Sequence, residues 1–174
     1  IMFLPGFSAT YVSARFRLAL ALAISFVIFP VLAARLPVLP NAVLDMALIF
    51  VGEIIVGSFF GLILRVLISS LQTAGTIASL ASSMANALVQ DPIAEQQSST
   101  ISGFLLTIGV VLIFVTDMHH LMLRALLETY TMFEPGQTLP FGDFADTIGR
   151  QVADSFALGL QMSAPFVVIG LTYY

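Results

Sequence analysis

No cysteine occurs anywhere in the chain, which removes disulfide frameworks, thiolate metal sites and sulfur-based cofactor chemistry together. Lysine is also missing. The six basic residues are all arginine, scattered at Arg15, Arg17, Arg35, Arg65, Arg124 and Arg150, and the net charge is −4. No basic patch exists to neutralise phosphates, so nucleic-acid binding is excluded. Charge of either sign is scarce: 9% of the 174 residues are charged, against about 25% in an ordinary soluble domain. So few charges cannot coat a soluble bundle of this size.

What the chain has instead is apolar length. Hydrophobic residues make up 59% of it, and the mean hydropathy is +1.03. These residues come in runs long enough to cross hydrocarbon, without the alternation of half-buried strands. The expected fold class is all-α, an integral membrane protein of helical hairpins. No linker or repeat divides the chain, so residues 1–174 are taken as one membrane-embedded unit. It opens on Ile1-Met2-Phe3-Leu4 and closes on Tyr173-Tyr174, both reading as helix interiors, which suggests a fragment of a longer protein.

Leu18 to Ala34 is free of charge and makes about 25 Å of helix, with Pro30 expected to kink or end it. Pro37 and Pro40 then make a stiff turn. A second apolar helix is expected from about Val43 to Leu71, carrying Glu53 and Arg65, and beyond it lies an uncharged stretch to Gln90 rich in serine and threonine. A third apolar run spans Gln96 to Thr116, and its helical patterning continues to about Phe133, for a length near 57 Å if unbroken. Glu134-Pro135-Gly136-Gln137 has the chemistry of a turn, Thr138 to Asp146 reads as an acidic loop, and a last helix from about Asp146 contains Pro165.

Gly57-Ser58-Phe59-Phe60-Gly61 is a G-x-x-x-G pair that suits close helix packing, either generic or as a dedicated subunit contact. At 100° per residue, Gln72, Thr76, Ser79, Ser83, Asn86 and Gln90 fall within an arc of about 80°. Such a stripe can line a wet passage or bond helices together in a dry interface. It ends at Asp91-Pro92, which reads either as a hairpin turn or as a re-entrant element within a pore. Glu53 in an apolar helix needs a partner or a wet surface. A buried, partnered position at a subunit interface suits it better than proton carriage, because no second intramembrane carboxylate accompanies it. Arg65 has more freedom to snorkel.

Asp117, His120, Arg124 and Glu128 share one face of an ideal helix. Adjacent His119 and His120 then point about 100° apart with no third ligand at useful spacing, so a hydrogen-bonded polar face is expected and no metal or cofactor. No Gly-rich phosphate loop occurs, and the serines and threonines have no evident activating base. The expectation is a protein that is not an enzyme.

Four segments, in this order, resemble the FliR/SctT family of export-gate subunits of the flagellar and virulence-associated type III secretion systems. They are Leu4-Pro5-Gly6-Phe7-Ser8 with Val12 to Ala21; Gly52-Glu53-Ile54-Ile55-Val56-Gly57 with Gly61 and Arg65; Gln72-Thr73-Ala74-Gly75 running to Asp91-Pro92; and Thr116-Asp117-Met118-His119-His120. The first two lie closer to the flagellar branch.

The resemblance implies a hetero-oligomeric gate in the bacterial inner membrane, at the flagellar basal body, built with FliP-like and FliQ-like subunits. FlhB-like and FlhA-like proteins would lie beside it and unfolded export substrates would pass through. It also implies that the loop at Met84, Asn86, Leu88, Val89, Gln90, Asp91 and Pro92 plugs a channel faced by Gln72, Thr76, Ser79 and Ser83. The seal would rest on Met84, Leu88 and Val89. Gly57, Gly61, Gly75, Glu53 and Arg65 would serve subunit packing. The alternative from another class is half of a secondary transporter with an ion site at Glu53; an inverted repeat would be expected, and none is found.

Overall fold

The computed structural model describes residues 13–33, 36, 40–82, 88–90 and 97–173, and residues 88–90 and 97–98 by backbone alone. Five helices carry the fold: α1 (Ala14–Leu32), α2 (Val43–Ala81), α3 (Thr100–Val115), α4 (Met118–Met132) and α5 (Phe141–Tyr173). α1 starts where the Ser13 hydroxyl accepts the Phe16 N–H at 3.4 Å. It ends two residues after Pro30, whereas α5 runs on past its own internal proline, Pro165. α2 runs without a break for 39 residues, about 58 Å, so it exceeds a hydrocarbon core of about 30 Å.

α2 is the spine. Phe59 stacks on Phe144 with ring centroids 4.0 Å apart, a Cβ on Gly159 would meet Ser70 and Thr73, and one on Gly170 would meet Ala81. The paired positions rise together, so α2 and α5 run parallel. α3 returns antiparallel on another face, with Ser102 against Gly75 and Gly109 against Leu71.

Both contacts are made through small residues. Ala74 and Ala78 are 1% and 0% exposed, and Ser79, Ser102 and Ser163 are the largest side chains that are fully buried. With lipid tails as apolar as leucine, burying leucine against leucine gains little in a membrane. Close backbone approach and hydroxyl hydrogen bonds favour association instead.

Four expectations need correction. The segment around Gln90 is not helical throughout: Leu88–Gln90 (β1) and Gln97–Ser99 (β2) pair antiparallel, Leu88 opposite Ser99. The long third helix starts later, at Thr100, because Ser99 caps it by accepting the Ser102 N–H at 3.2 Å. It is also broken. Asp117 adopts φ 58°, and α3 and α4 meet at a 76° bend. Neither glycine nor proline marks the break; aspartate is among the few side chains that tolerate the left-handed region. Finally, α5 begins at Phe141, inside the expected acidic loop, where Phe144 N–H bonds the Pro140 carbonyl at 3.1 Å and Asp143 lies in the first turn, favourable to the helix dipole.

The turn before α5 is as expected. Gln137 N–H donates to Glu134 C=O at 3.2 Å around Pro135 and Gly136, whose φ of 91° is the left-handed value that glycine supplies after proline in a tight turn.

Candidate functional site

Most of the residues singled out in the sequence fall into three groups, with Gly57, Gly61, Arg65 and the polar face from Asp117 to Glu128 apart from them. Ser83, Met84, Asn86, Asp91 and Pro92 lie outside the described residues, and of Leu88, Val89 and Gln90 only the backbone is described, as strand β1. Gln90 is therefore not on the helical stripe. β2 leads directly into α3, so the strand pair lies next to the α2–α3 contact.

The second group is that contact. Ser102 Oγ donates to the Gln72 carbonyl at 2.9 Å and Ser99 Oγ to the Gly75 carbonyl at 3.4 Å. A Cβ at Gly75 would overlap the backbone of Ser102, so glycine there is dictated by packing. Within α2, Thr76 Oγ1 donates to Gln72 C=O at 2.8 Å and Ser79 Oγ to Thr76 C=O at 2.8 Å. Ser79 is 1% exposed while Thr76 is exposed. Among the described stripe residues, Thr76 is thus open, Gln72 is tied through its carbonyl to α3 and Ser79 is buried.

Glu53 anchors the third group. Tyr130 of α4 donates its Oη–H to Glu53 Oε2 at 2.7 Å, across a sequence separation of 77 residues that no spacing argument spans. The carboxylate borders a cavity of about 300 Å³ lined by Leu48, Gly52, Phe133, Gly136 and Phe141 among others. Beside it, Phe60 and Phe133 meet edge to face at 6.1 Å and Phe133 and Phe144 at 5.4 Å, clamping the end of α4 and the start of α5 to the middle of α2. This aromatic cluster was missed in the sequence. A carboxylate already bonded to a tyrosine gives an intramembrane ion site less support than the sequence alone allowed.

Gly57 and Gly61 separate. Gly61 is buried, whereas a Cβ on Gly57 would meet nothing within 4 Å, so this chain makes no use of the gap there. Arg65 is exposed on α2.

At the bend, the expected face of Asp117, His120, Arg124 and Glu128 is reorganised. Arg124 Nε bonds Glu128 Oε1 at 3.0 Å as an exposed pair. Asp117, outside the helix proper, turns to His120 at 3.7 Å. The spacing argument against a third ligand does not hold here: ligand atoms of Asp117, His119 and His120 lie within 4.8 Å of one another.

Among the described residues, three helices are long and apolar enough to cross a membrane, or four spans if the bent α3–α4 pair counts as one. Fold and surface together define an all-α integral membrane protein. Over residues 1–174 the sequence matches the family described as bacterial export proteins, family 1, and the chain belongs to that family.

The flagellar biosynthetic protein FliR of Caulobacter vibrioides is similar, 31% identical over 173 residues, which are 99% of this chain and 69% of that protein. FliR of Bacillus subtilis is 32% identical over 118 residues, 66% of this chain and 46% of that protein.

Proposed function

We propose that this chain is a non-enzymatic subunit of the flagellar type III protein export gate in the bacterial inner membrane, lining and closing the path of unfolded substrates. The observation that carries the reading is similarity to a flagellar biosynthetic protein over 99% of the chain. The uncovered surface supports it: none of the apolar window of α1 is buried, and 11% and 17% of those in α2 and α5. Helices so bare need lipid or sister subunits on most faces. FliP-like and FliQ-like hairpins are the partners proposed for them, with FlhB-like and FlhA-like proteins at the entrance.

In this reading, Thr76 contributes the open polar edge of the path with Gln72 beside it at the α3 contact, and residues 84–92 form the plug. The hydroxyl bonds of Ser99 and Ser102 to α2 tie together the two helices that flank that segment. Shortening residues 84–92 therefore leaves assembly intact and makes the membrane leak ions, measured as conductance or as growth arrest on ionic stress. A membrane that stays sealed after the deletion would refute the plug.

A further inference from the structure

We propose that Asp117, His119 and His120 form a binding site for a divalent transition metal, of the zinc class, at the break between α3 and α4. Two histidines and a carboxylate in sequence do not make a site on a regular helix, where adjacent imidazoles diverge by about 100°. Here both histidines lie in the first turn of α4, yet their rings stay close to each other, and the left-handed Asp117 just before the helix keeps its carboxylate beside His120. The ligand atoms of the three residues consequently lie within 4.8 Å of one another. His120 Nδ1 is already 3.7 Å from Asp117 Oδ1, and the two imidazole centroids are 4.1 Å apart. Ligand atoms around a tetrahedral zinc, with bonds of about 2.0–2.1 Å, are roughly 3.4 Å from each other.

Two further observations point to a ligand. Asp117 occupies the N-cap position of α4, where an aspartate ordinarily accepts a hydrogen bond from the first turn, yet its side chain makes no capping bond. The carboxylate is left available. His119 Nδ1 is buried without any hydrogen-bond partner, a condition that buried polar atoms rarely tolerate and that a bound ion or water commonly explains.

The charges are compatible. The carboxylate offsets one of the two charges a divalent ion brings, and the negative C-terminal end of the α3 dipole faces the remainder. The nearest cation along α4, Arg124, is occupied by Glu128 at 3.0 Å. Imidazole donors favour zinc, cobalt, nickel or copper over magnesium or calcium, which prefer oxygen cages. Three protein ligands leave a fourth position for water or a group from a neighbouring subunit. An ion held this way would clamp the 76° bend and so fix the direction in which α4 leaves α3.

The test uses the intact chain in detergent micelles, carrying no polyhistidine tag and stripped with a chelator. Cobalt(II) serves as the probe, because its ligand-field absorption reports nitrogen donors directly, and zinc is then added as competitor. The expected result is saturable binding of one cobalt per chain, displaced by zinc and not by magnesium. His119→Gln and His120→Gln each weaken binding by about tenfold or more, with helical content by circular dichroism and micelle elution unchanged. Absence of saturable cobalt binding in the unmodified chain would overturn the proposal. So would binding that survives both histidine replacements at full affinity. Should either variant misfold, the unmodified chain still decides the matter through the nitrogen-ligand spectrum and its stoichiometry.

Discussion

The two halves of α2 invert the usual relation between hydrophobicity and burial. Its first half carries Val43, Leu44, Leu48 and Phe50 at 86%, 72%, 62% and 70% exposed, while its second half buries Ser70, Ala74, Ala78 and Ser79 to 3% or less. In water the greasy half would be the core. Here the small, weakly polar half is, because between lipid-solvated helices the gain comes from backbones that approach closely and from hydroxyls that bond across the contact. The start of the first half, ahead of the buried Phe59, is the surface, and it is apolar because its solvent is hydrocarbon or another subunit.

The most severe way to break this contrast is to put bulk into the small-residue half. Gly75→Val drives a branched side chain into the Ser102 backbone, and overpacking of this kind costs about 1–3 kcal/mol or more. Reversible unfolding in mixed micelles should show that loss, whereas Gly57→Val, with nothing within 4 Å of its Cβ, should leave the isolated chain unchanged. Should the Gly57 variant instead disrupt only the assembled complex, that face belongs to a partner.

A smaller effect is expected at the end of α4. Glu53→Gln and Tyr130→Phe each remove one side of the 2.7 Å bond, and a double-mutant cycle should report a coupling of about 1 kcal/mol. A coupling near zero would return Glu53 to the ion-site alternative, for which loss of coupled ion flux in Glu53→Gln is the readout.

Ser102→Ala deletes the 2.9 Å bond to the Gln72 carbonyl and should cost about 0.6 kcal/mol, the average for such bonds between membrane helices. The smallest change is expected in the apolar half. Phe50→Ala, at a side chain 70% exposed, should alter the stability of the isolated chain by less than about 0.5 kcal/mol, against about 3–5 kcal/mol for such a truncation in a soluble core. A large loss there would mean that the first half of α2 packs inside this chain after all.

The helical class, the spans α1 and α2 and the Pro135-Gly136 turn were legible in the sequence because each has a local cause: an unbroken apolar run, a paired proline and glycine. The break at Asp117 was not, since an aspartate that turns left-handed looks like any polar residue at a helix end. Nor was the β1–β2 pair, whose strands are three residues each, too short to set up a periodicity. Of the candidate site, Gly75 lies against Ser102 of α3 and Glu53 accepts from Tyr130 of α4, both contacts within this chain. The identity of that partner, Tyr130, depends on the 76° bend that brings α4 back toward α2, and no residue spacing encodes it.

The claim on which the rest stands is that these bare apolar faces are completed by other subunits. Extraction of the chain from its native membrane in mild detergent, followed by mass measurement of the intact particle, tests it most directly. The account expects one particle containing several different small membrane proteins in fixed proportion; a clean monomer or homodimer under the same conditions would contradict it.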